Sequence, residues 1–383
     1  MEQLEYLEER NKKIIDAVIK KAESLCPGSL ALIGIYGSFL TGDIHPKSDL
    51  DLLILINDDR GYKLSSTFIQ EDEQVGHDIY CTTWESLRGE AQYGHPNISK
   101  LMDSKIVYCT DDKYLKELEQ LRTQVKEKLA AEFSEEDFDK AFESMEEAEK
   151  CMKMVLKENV ISKVWEKTGG VLYFLGNAIT LLNKQYIRMG VKLAYEELNG
   201  MEKRPENLCE LIEAVISSHT TEEIKERLMV LMQKTMKVFA VEGARFGKTV
   251  SFQLEQDETE DRCDNSRKQP TAEALKGTYE EMYSNWRNKM YVAAQNNNRY
   301  LAFMSLISFY SMLSEIAGEW EIGNYDSLAI YNPDNLYATA QAFDAILNAY
   351  LSEYRKVGLS ARYYKNIDAF ICDYLLPETV AEA

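Results

Sequence analysis

The stretch on which the reading of the fold turns is GSFLTGDIHPKSDLD, residues 37–51. It lies between two apolar runs, ALIGIY (31–36) and LLILI (52–56). The first run stops at Gly37, as a strand entering a turn does. The second opens directly after two acids. Side chains in a strand alternate faces, so Asp49 and Asp51 point one way, and Leu50, Leu52, Ile54 and Ile56 point the other. A buried carboxylate is costly unless a hydrogen-bond network or a cation pairs with it. The rest of the chain has to say which.

Outward from this stretch, residues 5–25 carry an apolar helical stripe at Leu7, Ile14, Ile15, Val18 and Ile19, ended by Pro27-Gly28. Residues 49–57 read as a second strand, 75–82 (VGHDIYCT) as a third and 105–109 (KIVYC) as a fourth. Beyond residue 110 the strand signal vanishes. Periods near 3.6 predict helices over 114–129, 138–160, 171–189, 224–241, 272–294, 300–316 and 335–354. Ser134 with Asp137 three residues later forms a capping box at the second of these. Residues 253–270 are polar and unpatterned, a long loop inside the helical half. The expected class is α+β: a mixed β-sheet domain at 1–116, then an all-α helical-bundle domain at 117–383.

The third strand offers one acid, Asp78, between His77 and Ile79. If that strand lies beside the Asp49 strand, three carboxylates converge at one end of the sheet, with neighbours about 5 Å apart at Cβ. Carboxylates that close resist ionising together, and a divalent cation resolves the conflict. Hard oxygen ligands suit a pair of Mg²⁺ sites, completed by substrate phosphates. Gly37 permits close backbone approach to a ligand, exposed N–H groups after a strand cradle phosphate, and Ser38 adds a hydroxyl donor. Together these are the equipment of phosphoryl or nucleotidyl transfer.

Composition narrows the partners. The 383 residues are 45% apolar, with a formal net charge of −20 and a pI near 4.8. A nucleic-acid binder needs a dense basic face, and none is visible. The acidic excess falls in helical segments such as 134–150, where it reads as a solvated face. Seven cysteines, at 26, 81, 109, 151, 209, 263 and 372, include no C-x-x-C pair, which fits a reducing compartment. The charged N-terminus is no signal peptide, and no apolar run approaches bilayer length. The expectation is a cytoplasmic protein with neither nucleic-acid nor membrane partner.

GSFLTGDIHPKSDLDLLIL resembles the glycine-serine, spacer, aspartate-x-aspartate signature of the DNA polymerase β-like nucleotidyltransferase superfamily. HDIYCTTWESL looks like that superfamily's third-carboxylate strand and the helix after it. The resemblance covers residues 30–87 and fades toward 116, where KIVYCTDDKYL fits a closing strand. The helical remainder is similar in layout to the small-molecule (antibiotic) nucleotidyltransferases.

The resemblance implies that Gly37 and Ser38 hold the β- and γ-phosphates of ATP or another nucleoside triphosphate. Asp49 and Asp51 would hold two Mg²⁺ ions, and Asp78 would ligate the metal facing an acceptor hydroxyl and help deprotonate it. Ser48 would fix the turn before Asp49, and Lys47 would reach a phosphate. In the antibiotic branch a glutamate of the helical domain can be the base, which makes Glu280, Glu281 and Glu315 candidates. The acceptor implied is a small-molecule hydroxyl, aminoglycoside-like, in a monomer or a homodimer.

Plainer readings stand beside these: turn hydrogen bonds for the acids, a simple turn at Gly37-Ser38, solvated positions for Lys47 and the three glutamates, local packing for His45 and His77. The aromatics of 279–286 and 310–320 would line an acceptor pocket or a helix core. Two whole-protein alternatives also stand, a protein-AMPylating enzyme of toxin–antitoxin type and a non-catalytic nucleotide-binding regulator.

Overall fold

The computed structural model describes residues 2–42, 44–45, 47–251 and 267–376. Two small sheets form the N-terminal part. The first contains β1 (Leu30–Ile35), β2 (Leu52–Ile56), β5 (Cys81–Thr83) and β6 (Lys105–Cys109), in the order β5-β2-β1-β6. In it β1 is antiparallel to β2 and β6, and β5 runs parallel to β2. The second contains β3 (Ser66–Gln70), β4 (Val75–Ile79) and β7 (Tyr363–Tyr364), in the order β4-β3-β7.

Every residue of β2 is buried, which is why LLILI lacks the alternation of a half-exposed strand. Leu53 and Leu55 face a core that includes Trp84, Leu87 and Leu118. Leu52, Ile54 and Ile56 face Ile14 and Val18 of the first helix, Glu2–Leu25, together with Phe370 and Tyr374. Each such side chain contributes about 2 kcal/mol by burial, so the strand beneath Asp49 and Asp51 is firmly held.

Three expectations about strands need correcting. The strand at 49–57 begins at Leu52, although the Tyr36 N–H still donates to the Asp51 carbonyl at 3.1 Å and continues the pairing in that direction. The run 75–82 is not one strand: it breaks at Tyr80 into β4 and β5, which belong to different sheets. Strand signal also returns after residue 110, because β7 pairs in parallel with β3.

The helical part follows the period closely at Asp112–Ala130, Glu135–Lys157, Thr221–Ala244, Arg299–Glu319 and Leu336–Lys356. The Ser134–Asp137 capping box is present. The helix expected over 171–189 lies earlier, at Ile161–Leu182. That expected over 272–294 is interrupted by a π-helical turn, Tyr283–Arg287, leading into Asn288–Gln295. Of the 253–270 loop, residues 253–266 lie outside the described residues. Arg299–Glu319 is long and apolar enough to cross a membrane, contrary to the expectation that no run approaches that length. Residues 300–306, Phe309 and Leu313 of it are buried among other helices.

The chain finally returns to the sheets. The Ile367–Tyr374 helix packs on the first helix, Phe370 stacks on Phe68 with ring centroids 3.6 Å apart, and the Tyr374 hydroxyl donates to the Leu64 carbonyl.

Candidate active site

Gly37, two residues past the end of β1, has φ +68°, in the left-handed region that favours glycine. A Cβ there would lie 1.9 Å from Asp51 Oδ2, so glycine also creates the room in which the Asp51 carboxylate sits. The chain then winds through a single helical turn, Ser38–Thr41, closed by Gly42 at φ +81°. The Ser38 hydroxyl oxygen is buried and has no hydrogen-bond partner. An orphaned polar atom of this kind is costly, and a ligand oxygen in the cleft would satisfy it.

On the return to β2, Ser48 is 2% exposed. Its N–H donates to the His45 carbonyl at 2.9 Å, and its hydroxyl accepts from the His45 N–H at 3.0 Å. That pair fixes the turn before Asp49 through local backbone. Lys47 is exposed, with its N–H donating to His45 Nδ1 at 3.1 Å. Gly37, Ser38, Lys47, Ser48, Asp49 and Asp51 all line one cleft of about 240 Å³. Burial pushes the Asp49 carboxyl up, against the opposing charges of Lys289, Arg10 and His45.

Asp78 does not sit beside the Asp49 strand. It pairs across to Thr67 in the second sheet, because of the break at Tyr80. It is nonetheless within electrostatic reach of Asp49. Burial, the charge of Glu281 and the charge of Asp49 push its carboxyl up to about 6, against a hydrogen bond from Asn285. Among the described residues, no three carboxylate, imidazole or thiol groups form a ready-made metal cluster.

The opposite wall comes from the helical part, which the sequence marked only through the aromatics of 279–286 as one possible pocket lining. Arg188, Met189, Gly190 and Val191 line it, with Ser284, Asn285, Asn288 and Lys289 from the π turn and the helix that follows. A π turn carries an extra residue, a distortion common at functional sites. Here the strand fits against it: a Cβ on Gly76 would lie 2.5 Å from Ser284 Cα. Arg287 anchors the turn by two bonds to Asp344, at 2.9 and 3.1 Å. Tyr36 lines the cleft with its hydroxyl bonded to that of Tyr80, whose pKa burial pushes up to about 12.

The helical glutamates divide. Glu280 is not a surface acid: it is 1% exposed and accepts from the Tyr354 hydroxyl at 2.9 Å and the Arg362 N–H at 2.7 Å, a structural tie. Glu281 is half-buried, its carboxyl pushed up by burial and by the charge of Glu315. His77 is packed away, stacked on Phe68 and bonded to Gln70. Among the aromatics, Tyr279 and Tyr283 are buried in the core.

Residues 12–151 match the family model described as a nucleotidyltransferase domain. The chain carries a nucleotidyltransferase domain. Its match spans β1 to β6 and therefore the whole strand wall of the cleft. No curated protein matches the chain. The domain assigns nucleotidyl transfer in general and a nucleotide as one substrate.

The residues fit the divalent cations such domains generally use. Two carboxylates face one cleft, half-buried Asp49 has its charged form disfavoured by desolvation that a cation would relieve, and the donors are all hard oxygens. The orphaned Ser38 hydroxyl and the Cβ-free approach at Gly37 suit phosphate oxygens beside them.

Proposed function

We propose that the nucleotidyltransferase domain moves a nucleoside monophosphate, AMP from ATP in the first instance, to a hydroxyl of a small molecule and releases pyrophosphate. The observation that carries this reading is the shared cleft: Asp49 and Asp51 face it together, beside the close approach at Gly37 and the orphaned Ser38 hydroxyl. Asp49 and Asp51 would hold Mg²⁺, and Gly37 and Ser38 the terminal phosphates, with Lys47 beside them. Ser48 holds the turn that presents Asp49. Bound Mg²⁺ supplies charge neutralisation on the phosphates.

The acceptor oxygen attacks the α-phosphorus in line, the bond to the bridging oxygen of pyrophosphate breaks, and the acceptor proton passes to Asp78. A carboxyl with a pKa near 6 is ionised at neutral pH yet basic enough to take that proton. The acidic setting of Asp78, Glu281 and Glu315 favours a cationic acceptor, aminoglycoside-like in chemistry.

The test is pyrophosphate release with Mg²⁺ and each ribonucleoside triphosphate against a panel of hydroxyl-bearing aminoglycosides and lincosamides, with Asp49→Asn/Asp51→Asn as blank. Acceptor-dependent release with ATP, absent from the blank, is expected. Nucleotide binding without release across the panel would move the acceptor to another class, a protein side chain included. Absence of nucleotide binding would overturn the proposal.

A further inference from the structure

The first helix carries a residue that its own pattern does not predict. Leu7, Ile14 and Val18 form its buried stripe, and Arg10 lies on that stripe, three residues after Leu7 and four before Ile14. Arg10 is 2% exposed. A guanidinium in that position is costly unless every donor is used, and packing alone would be served as well by leucine.

Its donors are used in a specific way. One terminal nitrogen donates to Glu73 Oε2 at 2.6 Å. The other donates to the main-chain carbonyl of Ser48 at 2.6 Å and to Asn11 Oδ1 at 3.2 Å. Asn11, 3% exposed, also faces Nε at 3.4 Å and so sets the plane of the group. Glu73 is itself held by Gln70 Nε2 at 2.7 Å and by the Tyr6 hydroxyl. The fork is rigid at both ends, and a planar guanidinium transmits that rigidity as a flexible ammonium does not.

The Ser48 carbonyl belongs to the peptide unit whose nitrogen is that of Asp49. The far side of the same turn is fixed by the Ser48–His45 pair. Arg10 therefore pins the peptide plane from which the Asp49 side chain departs. It lies outside the matched residues 12–151.

We propose that Arg10 is a positioning residue for the metal site: through the Ser48 carbonyl it sets the place of the Asp49 carboxylate, with Glu73 balancing its buried charge. The inference rests on the reading of Asp49 as a metal ligand. Groups that orient metal ligands typically change metal affinity 10- to 100-fold when removed.

The test is titration of the full chain with Mn²⁺, following free Mn²⁺ by its paramagnetic resonance signal, alongside thermal melts. Removing Arg10 alone would strand the Glu73 charge, so the informative variant is Arg10→Met/Glu73→Gln, compared with Glu73→Gln. The double variant is expected to fold and to bind Mn²⁺ about tenfold more weakly, whereas Glu73→Gln stays within about twofold. Equal affinities in the two variants, or wild-type affinity in a folded double variant, would overturn the role of Arg10. Should the double variant not fold, Arg10→Lys replaces it: the charge remains but the fork is lost, and wild-type affinity there would be equally fatal. Failure of the underlying reading looks different, since then wild type itself would bind no Mn²⁺ that Asp49→Asn abolishes.

Discussion

The strand wall of the cleft comes mainly from one run of chain, residues 36–51, joined by Gly76 of β4, whereas the helical wall is gathered mainly from residues 188–191 and 284–301. The strand wall is anchored by buried β-pairing and by a glycine without which Asp51 has no room. The helical wall rests on a distorted turn held by one arginine–aspartate pair and pressed against Gly76. The strand wall supplies both acids, with Lys47 beside them, and the helical wall supplies the amides of Asn285 and Asn288 with Arg188 and Lys289. The difference assigns them separate tasks. On the proposed function, the strand wall would carry what the chemistry cannot lose, and the helical wall what shapes binding.

The largest effect that division requires is at the acids. Asp49→Asn/Asp51→Asn should lower pyrophosphate release by about 10³-fold or more, while far-ultraviolet dichroism stays unchanged. Appreciable activity in a folded variant would break the comparison at its stronger side.

Next comes Asp78, where function and stability should oppose each other. Its pKa in the folded chain, about 6, lies above the ordinary carboxylate value. The folded state therefore binds that proton more tightly than the unfolded state does. In metal-free protein its contribution is most favourable below about pH 4 and is lost as pH rises through about 6. Asp78→Asn should thus remove transfer activity yet stabilise the metal-free chain at pH 7.5 by on the order of 3 kcal/mol. Melts in chelator at pH 5 and pH 7.5 check the sign: the advantage of the variant should grow with pH. A variant less stable than wild type at pH 7.5 would show that burial of Asp78 is not a cost.

The sequence made the strand wall readable because every device in it is local: an apolar run, a glycine, a spacer, two acids two residues apart. It failed at Asp78's neighbours for a physical reason. VGHDIYCT has the composition of one strand, and nothing local records that its halves hydrogen-bond to different partners on either side of Tyr80. The helical wall was less readable still. Lys289 on a helix looks like any solvated lysine, and a π turn has no period of its own to detect. Arg10 has nothing local to set it apart from the other charges of its helix, because its reason, the Ser48 carbonyl, lies far along the chain.

The seam between the walls gives a smaller effect. Gly76→Ala places a methyl 2.5 Å from Ser284 Cα, backbone that has no cheap way to move. A loss of about 2 kcal/mol in denaturant midpoint experiments is expected, and a neutral substitution would mean the two walls are not in firm contact.

The smallest effect sharpens the comparison from the helical side. Lys289 acts on Asp49 through space and is exposed. Lys289→Ala should raise KM for the triphosphate about tenfold with kcat little changed, the pattern of lost uniform binding. A fall in kcat with KM untouched would put Lys289 in the chemistry and blur the division.

The most direct test of the central claim, that one metal-dependent nucleotide site occupies this cleft, is thermal melting with each ribonucleoside triphosphate, with and without Mg²⁺. At a ligand concentration near 100 Kd, wild type should melt about 2–4 °C higher only when nucleotide and Mg²⁺ are both present. Asp49→Asn/Asp51→Asn should show no such rise. An equal rise in that variant, or none in wild type with any of the four nucleotides, would contradict the account.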